Sequence, residues 1–231
     1  MKTPILLTAI AASVLIVACS EKQESTAKSP TVPIELFNGA NLDGWSHVLV
    51  GDGAKKEDVW TVKDGAIVCK GEPLGYLFTD GSYQNFTLGF DWRWAPGGTP
   101  GNSGVLLRIA GKPATFMPKC VEAQLKHESA GDIWGFFGAK VEGPTDRFQE
   151  VKGNESLGDF KGYRKIKPAE KPSGEWNHYE IKVSGGNLEI RINGELVNQV
   201  SGLDVVSGPI GLQSEGAEIH FRNIRLTESK E

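Results

Sequence analysis

Phe86 to Trp94, FTLGFDWRW, alternates without a break. In a strand, residues two apart share a face. Phe86, Leu88, Phe90, Trp92 and Trp94 therefore lie on one side, and Thr87, Gly89, Asp91 and Arg93 on the other. We read the aromatic side as core and the opposite side as solvated. A sugar-stacking strip is the functional alternative, but aromatics aligned on a strand are usually buried.

Turn signals punctuate the rest of the chain, which carries 29 glycines and 12 prolines. Ile34 to Phe37 alternates and stops at Asn38-Gly39, and Trp45 follows a second tight turn as an aromatic anchor. Val59 to Val62, Lys63-Asp64-Gly65 and Ala66 to Cys69 read as strand, turn and strand. Leu77 to Thr79 and Ile133 to Phe137 are short extended pieces. Residues 138–174 are rich in Gly, Pro and Lys, with short strands expected at Phe148 to Val151 and Tyr163 to Ile166; such a stretch is either a functional lid or a surface excursion. Trp176 to Val183 and Leu188 to Ile192 alternate again, and Asn193-Gly194 is a strong hairpin signal before Glu195 to Val200. Ile210 to Gln213 is a further strand. Ile219 and Phe221 fall out of phase with Ile224 and Leu226, so a β-bulge is expected at Arg222-Asn223. No stretch shows a helical period of useful length. About 12 short strands separated by turns predict an all-β antiparallel sandwich or jelly roll.

Gly101 to Lys126, GNSGVLLRIAGKPATFMPKCVEAQLK, holds the most specific chemistry. Two strand-like runs, Gly104 to Ile109 and Cys120 to Lys126, flank a proline-containing connection. Alternation puts Asn102, Gly104 and Arg108 on one side of the first, and Glu122, Gln124 and Lys126 on one side of the second. If those faces adjoin, Asn102, Arg108, Glu122 and Gln124 form one polar cluster. The bland account of Glu122 and Arg108 is a cross-strand ion pair on a solvated face, worth under ~1 kcal/mol.

The N-terminus belongs to targeting rather than to the fold. Lys2 precedes an apolar run from Ile5 to Ala18, short for a membrane span and typical of a secretory signal. Ile16-Val17-Ala18-Cys19 resembles the lipobox of bacterial lipoproteins, which implies cleavage after residue 18 and lipidation of Cys19. Residues 19–33 then form the lipidated cysteine and a polar tether, and residues 34–228 the folded domain. The expected address is the bacterial cell envelope, on a membrane in the periplasm or at the outer membrane. A net charge of −4 gives no reason to expect nucleic acid as a partner. In an oxidising compartment Cys69 and Cys120 either pair or remain two buried thiols. No CxxC pair or HExxH occurs, so no metal site is assigned; Glu122, His127 and Asp132 could contribute ligands to a divalent ion, without any recognised spacing.

Several ordered motifs coincide: Leu36-Phe37-Asn38-Gly39 with Leu42-x-Gly44-Trp45; Trp60-x-Val62-x-Asp64-Gly65; Phe86-x-Leu88-x-Phe90-x-Trp92; Asn102-Ser103-Gly104-Val105 with Arg108; Glu122-Ala123-Gln124; Gly174-Glu175-Trp176-Asn177; Asn193-Gly194; and Gly208-x-Ile210-Gly211-Leu212-Gln213 before Phe221-Arg222-Asn223-Ile224. Together they resemble the 3-keto-disaccharide hydrolase-like domain family, over roughly residues 34 to 227. The resemblance implies a concanavalin A/laminarinase-like jelly roll of two antiparallel sheets. It also implies cleavage of the glycosidic bond of 3-keto-glycosides made by a sugar 3-dehydrogenase. A ketone at C3 makes the C2 proton removable, the C1 oxygen leaves by β-elimination, and water can add to the enone. Such chemistry needs a base, a donor to the enolate oxygen and a proton for the departing oxygen.

On this reading Glu122 is the base and Arg108 stabilises the enolate. Asn102 and Gln124 orient hydroxyls, with Asp132, Gln213 and His127 as further sugar contacts. Asn177 and Asn223 suit structural positions and are left out of the site. A non-catalytic carbohydrate-binding lipoprotein is the alternative, because this architecture hosts both activities. An ordinary retaining glycosidase would need two carboxyls about 5.5 Å apart. The residue two beyond Glu122 is Gln124, which weakens that reading, although Asp132 could supply a distant acid.

Overall fold

The computed structural model describes residue 1 and residues 32–113 and 115–229. The signal, Cys19 and most of the tether lie outside the described residues. The elements in chain order are β1 (Ile34–Glu35), β2 (Trp45–Leu49), the one-turn helix α1 (Lys56–Val59), β3 (Trp60–Lys63), β4 (Ala66–Cys69), β5 (Gly75–Thr79), β6 (Phe86–Trp94), β7 (Gly104–Ala110) and β8 (Lys119–Gln124). They continue with β9 (Ile133–Phe136), a 3-10 turn (Thr145–Arg147), β10 (Phe148–Asn154), β11 (Gly158–Tyr163), β12 (Asn177–Ser184), β13 (Asn187–Ile192), β14 (Glu195–Val200), β15 (Gly211–Ser214) and β16 (Ile219–Glu228).

These strands form two antiparallel sheets, as the jelly-roll expectation requires. One runs β14-β13-β12-β6-β16-β4-β3, with β1 also on β16; the other runs β10-β11-β9-β8-β7-β15-β5-β2. The central strand of the first sheet is β6, and burial along it alternates at every residue. Its aromatic face is core: Phe90 stacks on Tyr179 with ring centroids 5.3 Å apart, and Trp92 meets Trp94 edge to face. The sugar-stacking alternative is therefore set aside. From the second sheet, Val105, Leu107, Val121, Ala123 and Ile133 complete this core.

The expected bulge in β16 is present. Register shifts between Arg222 and Arg225, Asn223 adopts φ 54°, and its amide donates to Asp91 Oδ2 at 2.8 Å. The extra residue returns Ile224 and Leu226 to the core. Asn193-Gly194 turns β13 into β14 with both residues at positive φ, the conformation of a two-residue hairpin loop. Asn177 is buried and accepts from Lys171 N and Asn193 Nδ2, so it is structural.

One expectation needs correction, and one open alternative is resolved. The strand expected at Tyr163 to Ile166 comes earlier: Tyr163 is the last residue of β11, which pairs with both β10 and β9. Cys69 and Cys120 do not pair. Cys69 sits in β4 of the first sheet and packs in the main core, whereas Cys120 sits in β8 of the second and belongs to a separate apolar cluster. That cluster comprises Tyr76, Leu106, Ile109, Phe116, Met117, Cys120 and Phe136, with Trp134, Leu157 and Phe160 packed against it. It covers the outer face of the second sheet, where a solvated polar face would be the simpler outcome.

Candidate active site

The β7 and β8 runs do adjoin. Gly104 faces Gln124 and Leu106 faces Glu122 across an antiparallel ladder. On the other side of β8, Trp134 of β9 faces Glu122 and Phe136 faces Cys120. On the other side of β7, Gly211 of β15 faces Leu106. Rows of outward side chains thus cross the sheet, and their character changes along β8. Around Gln124 lie Gly104 and Asp132; around Cys120 lie Phe136 and the apolar cluster; Glu122 stands at the boundary.

The Glu122 side chain folds back over Gly104. A Cβ placed on Gly104 would stand 1.9 Å from Glu122 Oε1, so only glycine leaves room for this carboxyl. Glu122 is 1% exposed and its Oε1 has no hydrogen-bond partner among the described residues. No salt bridge engages it among the described residues, and no cation lowers its pKa. Burial pushes its pKa well above the ordinary carboxyl value, and the nearby charge of Glu215 adds to the shift.

Glu215 is the residue that sequence reasoning missed. It follows β15 and forms an isolated antiparallel bridge with Asn102. Burial pushes its pKa up to about 7, while a hydrogen bond from Asn102, the Lys126 charge and the Gln213 amide hold the rise back. Gln213 is 1% exposed, and neither of its side-chain polar atoms completes a hydrogen bond of full geometry. It stands near Glu215 rather than bonded to it. Alternation could have found this acid, because Gly211, Gln213 and Glu215 fall at successive positions of one face.

A pocket of about 310 Å³ opens here. Asn102, Glu122, Gln124, Asp132 and Glu215 line its polar part, and Met117, Trp134, Phe136, Leu157 and Phe160 its apolar part. Gln124 uses its carbonyl oxygen to hold the strand end, accepting from Leu125 N and Lys126 N at 2.9 Å each, which turns its NH2 to the pocket. Asp132 is engaged at the rim, where Oδ1 accepts from Lys165 N at 2.8 Å. The β10–β11 hairpin supplies Gln149, Val151, Leu157 and Phe160 to the wall. The stretch that sequence left as lid or excursion therefore builds part of the site.

Two expected members are elsewhere. Arg108 does not join Glu122. Register shifts between Leu107 and Ala110, Arg108 takes φ 52°, and the bulge turns its side chain off the outer face. The guanidinium is 5% exposed and donates to the carbonyls of Gln84, Gly185 and Asp204 at 2.6–3.1 Å. It joins β7 to loops at the end of the first sheet and is absent from the lining of the Glu122 pocket. His127 lies past the end of β8, where its N–H donates to Gly101 O and its ring stands 3.9 Å from Glu170. It is not among the residues lining the pocket. Among the described residues no three His, Cys, Asp or Glu side chains gather in a way that could hold a metal ion.

Residues 32–227 match the 3-keto-alpha-glucoside-1,2-lyase-like domain family. The chain belongs to that family. Membership ties the folded domain to carbohydrate chemistry of the hydrolase-like kind. No curated protein matches the chain. Among solved structures, a Parabacteroides distasonis protein provisionally described as a glycosyl hydrolase is 21% identical with a TM-score of 0.59, covering 86% of this chain and 94% of the other. The carbohydrate-binding module CBM66 from Bacillus subtilis is 16% identical with a TM-score of 0.55, covering 80% and 96%. The endo-β-1,3(4)-glucanase SCLam of family GH16 is 12% identical with a TM-score of 0.53, covering 86% and 90%. At these identities the three share the fold, a laminarinase-like jelly roll.

Proposed function

We propose that this family member cleaves the glycosidic bond of 3-keto-glycosides by removing the C2 proton and eliminating the C1 oxygen. The observation that carries the reading is a carboxyl pair at one pocket, Glu122 buried and Glu215 partly buried, each with its proton affinity raised by desolvation. A base works best with a pKa near the working pH, and Glu215 at about 7 meets that condition. Glu122, expected from sequence to be the base, takes the role of proton donor on this reading, because burial raises its pKa well above the ordinary carboxyl value and favours the protonated form.

In the first step Glu215 takes the C2 proton and the electrons pass to the C3 oxygen as an enolate. The Gln124 NH2, turned to the pocket by the contacts of its carbonyl oxygen, is the donor suited to that oxygen. The enolate collapses, the C1–O bond breaks, and Glu122 gives its proton to the departing alcohol. Hydration reverses the transfers: water adds at C1 and returns a proton to Glu122, while Glu215 gives its proton to C2. A sugar 3-dehydrogenase would supply the ketone, and lipidation at Cys19 would hold the domain at the cell envelope.

The test is incubation of the purified protein with a 3-keto-disaccharide and with its unoxidised parent, with and without chelator, followed by product identification. Cleavage of the keto sugar alone, reduced about 10²–10⁴-fold by Glu122→Gln and by Glu215→Gln, is expected. Glycan binding with no cleavage of any keto sugar would replace this reading with a carbohydrate-binding lipoprotein.

A further inference from the structure

We infer that the substrate's leaving group is aromatic, so that the preferred glycosides are those of phenols or other aryl alcohols rather than disaccharides. The inference rests on the proposed reading in one respect: the sugar ring is placed at the polar end of the pocket, beside Glu215.

The argument starts from the gradient along β8. Outward residues on a strand repeat every two positions, about 7 Å apart. Stepping from Gln124 to Glu122 to Cys120 passes from hydrogen-bonding neighbours, through the reacting carboxyl, to an apolar wall. A bond broken at Glu122 therefore has its sugar on the Gln124 side and its aglycone on the Cys120 side.

The aglycone side is built for an aromatic ring. Trp134 and Phe160 meet edge to face with centroids 5.2 Å apart, and Phe136 lies 4.7 Å from Phe160. Met117 and Leu157 close the same end. A second sugar there would bring its hydroxyls against Met117, Phe136, Leu157 and Phe160, with the Trp134 indole N–H the one donor among these five side chains, and unpaired buried hydroxyls are costly. An aryl group meets the same wall with favourable edge and face contacts. Trp134 is the natural contact, because it stands directly across the ladder from Glu122 and is only partly buried.

The test is calorimetric binding of phenyl α- and β-glucoside against maltose and cellobiose, all unoxidised, to the purified protein. The better phenyl glucoside should bind about tenfold more tightly than the better disaccharide. Trp134→Ala should erase that difference, and Trp134→Phe, which keeps a ring, should retain most of it. Equal or tighter binding of a disaccharide, a preference that survives Trp134→Ala, or no binding by any of the four would overturn the inference. Binding of unoxidised glycosides needs neither the ketone nor proton transfer. A protein that prefers aryl glucosides but cleaves no keto sugar would thus contradict the proposed reaction and leave this inference standing. Cleavage of keto-disaccharides with no aryl preference would do the reverse.

Discussion

Gly104 and Glu122 occupy one volume: the carboxyl of Glu122 lies where a side chain on the facing strand would begin. Gly104→Ala should therefore displace the carboxyl while leaving the ladder paired. The expected result is a loss of kcat comparable to that of Glu122→Gln, about 10²–10⁴-fold, with a native circular dichroism spectrum. Retention of full activity would show that the position of Glu122 over Gly104 is immaterial.

Burial of two carboxyls has a consequence for stability. Glu215 rises from 4.5 to about 7 on folding, and burial raises Glu122 in the same direction. The folded state thus binds these protons more tightly than the unfolded chain. Stability is intact below about pH 4.5 and declines as pH rises, until Glu215 ionises in the folded protein near 7. Glu215→Gln should stabilise the fold against unfolding, by an amount that grows between pH 4.5 and 7 and then levels at about 3 kcal/mol. Thermal melts of wild type and variant across that window check the sign.

Arg108 joins parts of the fold and takes no part in the proposed chemistry. Arg108→Leu leaves the carbonyls of Gln84, Gly185 and Asp204 without their donor, at about 1–3 kcal/mol for each that water does not reach. Denaturant unfolding should show a loss of about 3 kcal/mol, while the folded fraction keeps wild-type kcat/KM. A large fall in kcat without loss of stability would return Arg108 to the reaction.

The strands were legible because their alternation is strict where one face is core, as in Phe86 to Trp94, and because Asn193-Gly194 and the slip at Arg222-Asn223 have local chemistry. The shared facing of Glu122, Gln124 and Asn102 at one pocket was legible for the same reason: each lies on a regular strand or directly beside one, whereas Gln213 is buried and does not line that pocket. Arg108 was misplaced because a bulge breaks the period at that residue, and nothing in Leu107-Arg108-Ile109 marks it. Glu215 was missed because it lies two residues past the Ile210 to Gln213 run, although alternation extended that far puts it on the Gln213 face; the roles of Glu215 and Trp134 depend further on which strands neighbour β7 and β8, a matter of topology that one-dimensional spacing does not contain. Glu122 alone looked like a single base; only the chain's return through β15 places a second carboxyl beside it.

The most direct measurement is isotope incorporation during turnover. A 3-keto-glucoside is cleaved in D2O, and the released 3-keto-glucose is reduced at once and read by mass spectrometry and NMR. Removal of the C2 proton by a carboxyl that returns it after exchange with solvent predicts one deuterium at C2 in the hydrated product. It also predicts loss of both cleavage and labelling in Glu215→Gln. Cleavage that proceeds at wild-type rate with protium retained at C2 would contradict elimination and the roles given to Glu122 and Glu215.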